Sequence, residues 1–377
     1  MRGVPGFNGE RLKQAREAMG LSQTSLASIV NVSKQAISQY EKGTDSPGPD
    51  VFDQFRLVLR HDAFFFLRSS FSGEAGTRFY RSMASATKTA RARAEARQLW
   101  IRELLAYVSE YVDLPKVDFP RFSHEPRLTS MEEIESLALD IRREWKLNDS
   151  PISNLVDVAE SHGVIVARHS LDSAALDALS EWLQPEDRPF VVLNSDKNVS
   201  VRSRLDLAHE LGHMVLHRNV SMEQLNDEEQ FELIESQAFR FGAALLLPER
   251  PFLEDLFSVS LDALRSMKLK WKVSIAMMIE RLKDLGIVTA DQHRKLRMGY
   301  STRRWNRVEP YESEIAIEQP SLFAKCVQLM VSRNIQSAGQ ISAQTGFSEE
   351  WISSLLAVNT SVDLPITAKV VEFKKRA

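Results

Sequence analysis

The sequence predicts a mostly helical chain with one small β-sheet, an α+β fold. Three observations carry the prediction. The first 70 residues read as a run of short capped helices. A block of β-like apolar runs falls between residues 164 and 193. Two strong amphipathic helices follow that block.

Taken in order, Glu10 to Met19 places Leu12, Ala15 and Met19 at helical spacing and stops at Gly20. Ser22 is suited to cap a second helix, Gln23 to Val30. Ser33 is suited to cap a third, Lys34 to Lys42, which ends at Gly43. Asp45-Ser46-Pro47-Gly48-Pro49 is a turn, and helix resumes from Asp50 to Leu59. A short fifth helix completes a unit spanning residues 7–68. Residues 69–128 then form a helical connector and linker. Its helix carries Arg81, Lys88, Arg91, Arg93, Arg97 and Arg102 with few acids. Such a run reads as a solvated face in preference to a row of phosphate contacts. Trp100, Leu104, Tyr107 and Tyr111 on it read as packing residues. Pro115, Pro120 and Pro126 mark the main boundary.

A second domain is expected over residues 129–310. It begins with helices at Met131 to Trp145 and Ile152 to His162. Strands follow at Val164 to Ala167, Ala175 to Leu179 and Phe190 to Leu193. The next helices run from Val201 to His217 and from Phe231 to Leu247. A helical region, residues 311–377, reads as an interaction module. Its Gly346-Phe347-Ser348 turn has a helix-turn-helix rhythm, with Glu349 and Glu350 where basic contacts would sit.

Bulk properties narrow the classes. With 377 residues and 43% hydrophobic content the chain can bury more than one core. A net charge of -3 excludes a globally basic nucleic-acid coat, so any DNA contact must be local. The single cysteine, Cys326, allows no internal disulfide and reads as buried and inert. That thiol count, the polar first 20 residues and the lack of an apolar run near the ~20 residues of a membrane span point to a cytoplasmic protein without a membrane partner.

The chemistry centres on His209-Glu210-Leu211-Gly212-His213. Residues four apart on a helix lie roughly 40° apart around its axis, so His209 and His213 can share one ion. Catalytic zinc takes three protein ligands and keeps one position open for water. Glu210 is placed to act as general base on that water. Glu235, on the following helix, is the preferred third ligand. Glu232 and His217 are its rivals. Arg204 and His217 are candidates for supporting the ligands from behind. His162, His169 and His293 have no partner spacing and receive no role.

The stretches from Arg204 to His217 and from Glu235 to Pro248 resemble the ImmA/IrrE family of metallopeptidases, over about residues 130–305. The resemblance implies a zincin-like fold, with His209, His213 and Glu235 holding zinc and Glu210 as base. Phe239 and Gly242 depart from the asparagine and alanine usual there. The family's role implies cleavage of one specific protein, such as a repressor, in a stress, phage or toxin-antitoxin circuit. An open alternative is a regulator or antitoxin whose metal site is structural or sensory.

Residues 7–60 resemble the Xre family of helix-turn-helix domains through Leu12, Arg16, Leu21-Ser22-Gln23, Leu26-Ala27, Val32-Ser33, Ile37-Ser38 and Tyr40-Glu41-Lys42-Gly43. Leu26, Ala27, Val32 and Ile37 supply a shared core. The third helix then turns Lys34, Gln35, Ser38 and Gln39 toward double-stranded operator DNA, where amides can read base edges. Gln23 would meet the backbone. Domains of this kind often bind as homodimers on two-fold sites.

Overall fold

The computed structural model describes residues 3–71, 75–78, 87–120, 122, 125–172, 177–184, 187–356 and 372–373. Five helices open the chain: α1 (Gly9–Ala18), α2 (Gln23–Ile29), α3 (Lys34–Glu41), α4 (Pro49–Leu59) and α5 (Ala63–Leu67). Ser22 and Ser33 cap α2 and α3, each accepting a backbone N–H at 3.0 Å. Leu12, Ala15, Leu26, Ile37 and Phe55 are fully buried at their centre. A polar clasp joins three of these helices. Arg16 donates to Glu41 at 2.5 Å and to the Leu21 carbonyl at 2.8 Å, and Gln23 donates to Glu41 at 2.7 Å.

Strand β1 (Ala75–Arg78) precedes the connector helix α6 (Lys88–Ser109). Only part of α6 is the solvated face expected of it. Lys88 and Arg91 are exposed, but Arg93, Arg97 and Arg102 turn inward. Arg93 pairs with Asp172. Arg97 donates to the Ala18 carbonyl at 3.0 Å and to the Ser170 carbonyl at 2.6 Å. Arg102 lies 3.9 Å from the buried carboxylate of Glu181. The carbonyls and carboxylates that draw these cations inward come from distant parts of the chain. Arg81 lies outside the described residues. Trp100 packs as expected, against His61, Phe65, Phe347 and Trp351.

After β2 (Val112–Asp113) come α7 (Met131–Glu144) and α8 (Leu155–Ser161), and then β3 (Ile165–His169), β4 (Ala178–Leu183) and β5 (Arg188–Asn194). The sheet order is β1-β4-β5-β3, with β3 parallel to β5 and the other pairs antiparallel. The second strand falls later than the expected 175–179, and residues 175 and 176 lie outside the described residues. Its later half carries Glu181, whose charge breaks the apolar run, yet Glu181 is fully buried beside Arg102.

Both faces of the sheet are covered, which explains why its strands read as nearly continuous apolar runs. Ile165, Ala167, Leu179, Phe190 and Val192 join the core of α1–α6. Val166, Ala178, Trp182, Val191 and Leu193 join a second core. Helices α9 (Ser200–Leu216), α10 (Met222–Asn226), α11 (Glu228–Leu246), α12 (Glu249–Asp255), α13 (Leu261–Trp271), α14 (Ile275–Asp284) and α15 (Ala290–Thr302) follow; all but α10 contribute to that second core, and Leu225 of α10 joins Val220 and Ile234 in a small separate cluster. The last helices, α16 (Leu322–Ser332), α17 (Ala338–Thr345) and α18 (Glu349–Leu356), return to the first core through Phe347, Trp351 and Leu355. Glu350 there pairs with Arg60 at 2.5 Å. Cys326 is buried in α16, and burial pushes its thiol up to about 12. No helix among the described residues is long and apolar enough to cross a membrane.

Candidate metal centre and nucleic-acid interface

Helices α9 and α11 cross at close range, and two glycines allow it. A Cβ on Gly212 would stand 2.8 Å from the Ala238 carbonyl oxygen. A Cβ on Gly242 would stand 3.0 Å from the Ala208 carbonyl carbon. Each helix therefore lays bare backbone against the other. Gly242, a departure from the alanine expected by resemblance, is half of that crossing. Helix α11 begins a turn earlier than expected because Asp227 caps it, accepting from Gln230 at 2.8 Å.

The crossing brings Glu235 opposite the two histidines. His209 Nε2 lies 3.4 Å from one Glu235 oxygen, and His213 Nε2 lies 3.3 Å from the other. The two Nε2 atoms are 3.0 Å apart. One donor atom from each residue falls within 4.8 Å of the others, a spacing suited to a shared ion. Glu232 lines the same cleft but stands outside this cluster. His217 is fully buried behind His213, with the two Nδ1 atoms 3.0 Å apart. Arg204 is buried and bonded to the Ile152 carbonyl and the Glu318 carboxylate, so it holds α9 from the far side of the cleft.

Electrostatics favour a cation at this point. Burial alone would raise the Glu235 carboxyl, but its close contacts with the His209 and His213 rings hold it well below its ordinary value. Burial opposes a charge on His209. The Glu235 hydrogen bond and the carboxylates of Glu210, Glu235 and Asp206 outweigh that and raise it. Burial, helped by Asp177, pushes Asp206 up to about 7. Glu210 is buried, lines the cleft and leaves Oε2 without a hydrogen-bond partner. His209 Nδ1 is likewise unpartnered. Two imidazoles, an ionised carboxylate and an orphaned second carboxylate fit a divalent cation of zinc type with an attendant water. Phe239 walls one side, its ring 4.3 Å from the His209 ring.

At the other end of the chain, Lys34, Gln35 and Gln39 of α3 are exposed and Ser38 is half-buried. Gln23 stands beside them, held by Glu41. A cleft bordered by Gln23, Lys34 and Ser38 also receives Lys88 and Thr89 from the start of α6. That adjacency was not readable from the sequence, because it depends on how α6 docks. The inward turn of Arg93 and Arg97 fixes that docking.

Residues 12–57 match the family described as helix-turn-helix. Residues 159–283 match the peptidase family described as IrrE N-terminal-like domain. A search of curated proteins gave no match. The chain thus carries an Xre-like helix-turn-helix domain at its N-terminal end, supporting DNA binding, and a metallopeptidase-like domain of the ImmA/IrrE type beyond it.

Proposed function

We propose that the protein is a DNA-tethered zinc endopeptidase of the cytoplasm that cleaves one specific protein, a repressor or comparable regulator. On this reading residues 7–68 read DNA, 69–128 connect, 129–310 cleave and 311–377 form the helical C-terminal module. The observation that carries it is the convergence of His209, His213 and Glu235 beside the partnerless carboxylate oxygen of Glu210. A site serving structure alone would close all four positions and would need no buried base beside it.

His209, His213 and Glu235 would hold zinc. When bound, the ion supplies Lewis-acid polarisation and lowers the pKa of water beside it. Glu210 Oε2 takes the proton from the attacking water and returns it to the peptide nitrogen as that nitrogen leaves. His217 supports His213 from behind, and Arg204 supports α9. Phe239 offers an apolar wall to the substrate at one side of the cleft. Lys34, Gln35, Ser38 and Gln39 would contact base edges, with Gln23 at the backbone. The operator is read by one chain or by a two-fold dimer.

The test is to incubate the purified protein with the regulators encoded beside it. Wild type should cleave one of them, and Glu210→Gln should not while keeping its zinc. If both forms regulate a promoter reporter equally and neither cleaves, the metal is structural or sensory and the peptidase reading falls. Gln35→Ala with Gln39→Ala should abolish sequence-specific retardation of the protein's own promoter. Unchanged retardation would remove α3 from the interface.

A further inference from the structure

Behind the histidine pair lies a buried chain of hydrogen bonds whose polarity can be worked out from its far end. The carbonyl oxygens of Pro126 and Thr129 can only accept. They lie 2.8 and 3.4 Å from one end of the Gln237 amide, so that end is the NH2 group. The amide oxygen therefore faces His217 Nε2, at 3.1 Å, and it too can only accept. His217 must then carry its hydrogen on Nε2, which leaves Nδ1 bare in the neutral ring. That bare Nδ1 meets His213 Nδ1 at 3.0 Å, so His213 carries its hydrogen on Nδ1. The outcome is a lone pair on His213 Nε2, the atom that faces His209 and Glu235.

We propose that Gln237 and His217 are positioning residues that lock His213 in the tautomer able to bind a metal before any ion arrives. Left to solvent, neutral histidine favours the hydrogen on Nε2, the wrong nitrogen here. Gln237 and His217 are both fully buried, so water does not compete for these bonds. The polarity is set by the segment around Pro126 and Thr129, which otherwise reads as linker. This segment thereby reaches the metal centre through three hydrogen bonds. The geometry also explains why a glutamine stands two residues after Glu235 on α11. Glu235 faces the cleft, and Gln237 faces the support behind His213. The proposal rests on the zinc reading above, but the hydrogen positions can be measured without zinc.

The experiment uses the full chain labelled with 15N histidine and stripped of metal. Long-range proton–nitrogen correlation reports which ring nitrogen of His213 bears hydrogen, and His213→Gln identifies its signals. Wild type should show His213 with hydrogen on Nδ1. Gln237→Met removes the acceptor and should let the Nε2–H form appear. It should also weaken zinc binding about 10- to 100-fold, the usual loss when such a support is removed. Hydrogen on Nε2 in wild type overturns the proposal, whatever the variants do. So does Gln237→Met with wild-type spectrum and affinity. Failure of wild type to take up zinc while His213 keeps Nδ1–H overturns the metal reading instead and leaves the hydrogen-bond chain standing.

Discussion

In the cleft between α9 and α11, His213, His217 and Gln237 are buried and bonded to one another, whereas Lys34, Gln35 and Gln39 on α3 stand in solvent. On the proposed reading the two regions serve different ligands. A small ion leaves little tolerance in donor position, so its ligands must be aimed before it arrives, and the fold does the aiming. DNA brings its own extended set of partners and is read by side chains that order on contact. Substitutions in the cleft should therefore disturb folding and binding together. Substitutions on α3 should disturb binding alone.

That contrast can be broken most severely at the helix crossing. Gly212→Ala puts a methyl group against the Ala238 backbone, 2.8 Å from its oxygen. It should cost about 1–3 kcal/mol in chemical denaturation, the usual range for overpacking, and weaken zinc uptake as well. Gly242→Ala meets its nearest atom at 3.0 Å and should cost less. Equal stability of Gly212→Ala and wild type would mean that the crossing is looser than described.

Next comes the clamp between the two regions. Arg97→Ala removes hydrogen bonds to the Ala18 and Ser170 carbonyls and should cost about 1–2 kcal/mol. Thermal unfolding should then show the α1–α5 region separating earlier. An unaltered single transition would contradict the clamp.

A smaller, pH-dependent effect is expected at His61, stacked on Phe65 with ring centroids 3.8 Å apart. Burial depresses its folded value to about 3, against an ordinary value of 6.5. The unfolded chain then takes up the proton first. Stability held above about pH 6.5 is lost progressively as pH falls toward 3. His61→Phe should flatten that part of the acid profile. An unchanged profile would assign the acid sensitivity elsewhere.

The smallest effect on stability belongs to Gln35→Ala with Gln39→Ala, which should stay within about 0.5 kcal/mol of wild type. Its effect on operator binding should still be large, at about 1–3 kcal/mol for each lost base contact. A marked loss of stability would make these residues part of the fold and not of the reading surface.

Local pattern carried much of this into the sequence. Ser22 and Ser33 announce their helices because a cap acts within three residues. His209, Glu210 and His213 announce a candidate site because helical geometry alone places four-apart residues together. The sequence also proposed Glu235, since a neighbouring amphipathic helix limits the choice. What stayed hidden depends on distant backbone. Arg93 and Arg97 look like surface cations until the carbonyls of Ala18 and Ser170 are placed beside Arg97 and Asp172 beside Arg93. Gln237 looks like any helical glutamine until Pro126 and Thr129 are seen behind it. Strand β1, Ala75–Arg78, carries no apolar run and exists through its pairing with β4. The return of Phe347 and Trp351 to the first core is equally invisible in their own segment.

The central claim is that one ion is held by His209, His213 and Glu235. Its most direct test is the zinc content of the purified chain and two single variants, measured by elemental analysis. The account predicts one zinc per wild-type chain, loss in Glu235→Ala and retention in Glu232→Ala. Zinc retained by Glu235→Ala, or lost by Glu232→Ala in its place, would contradict it.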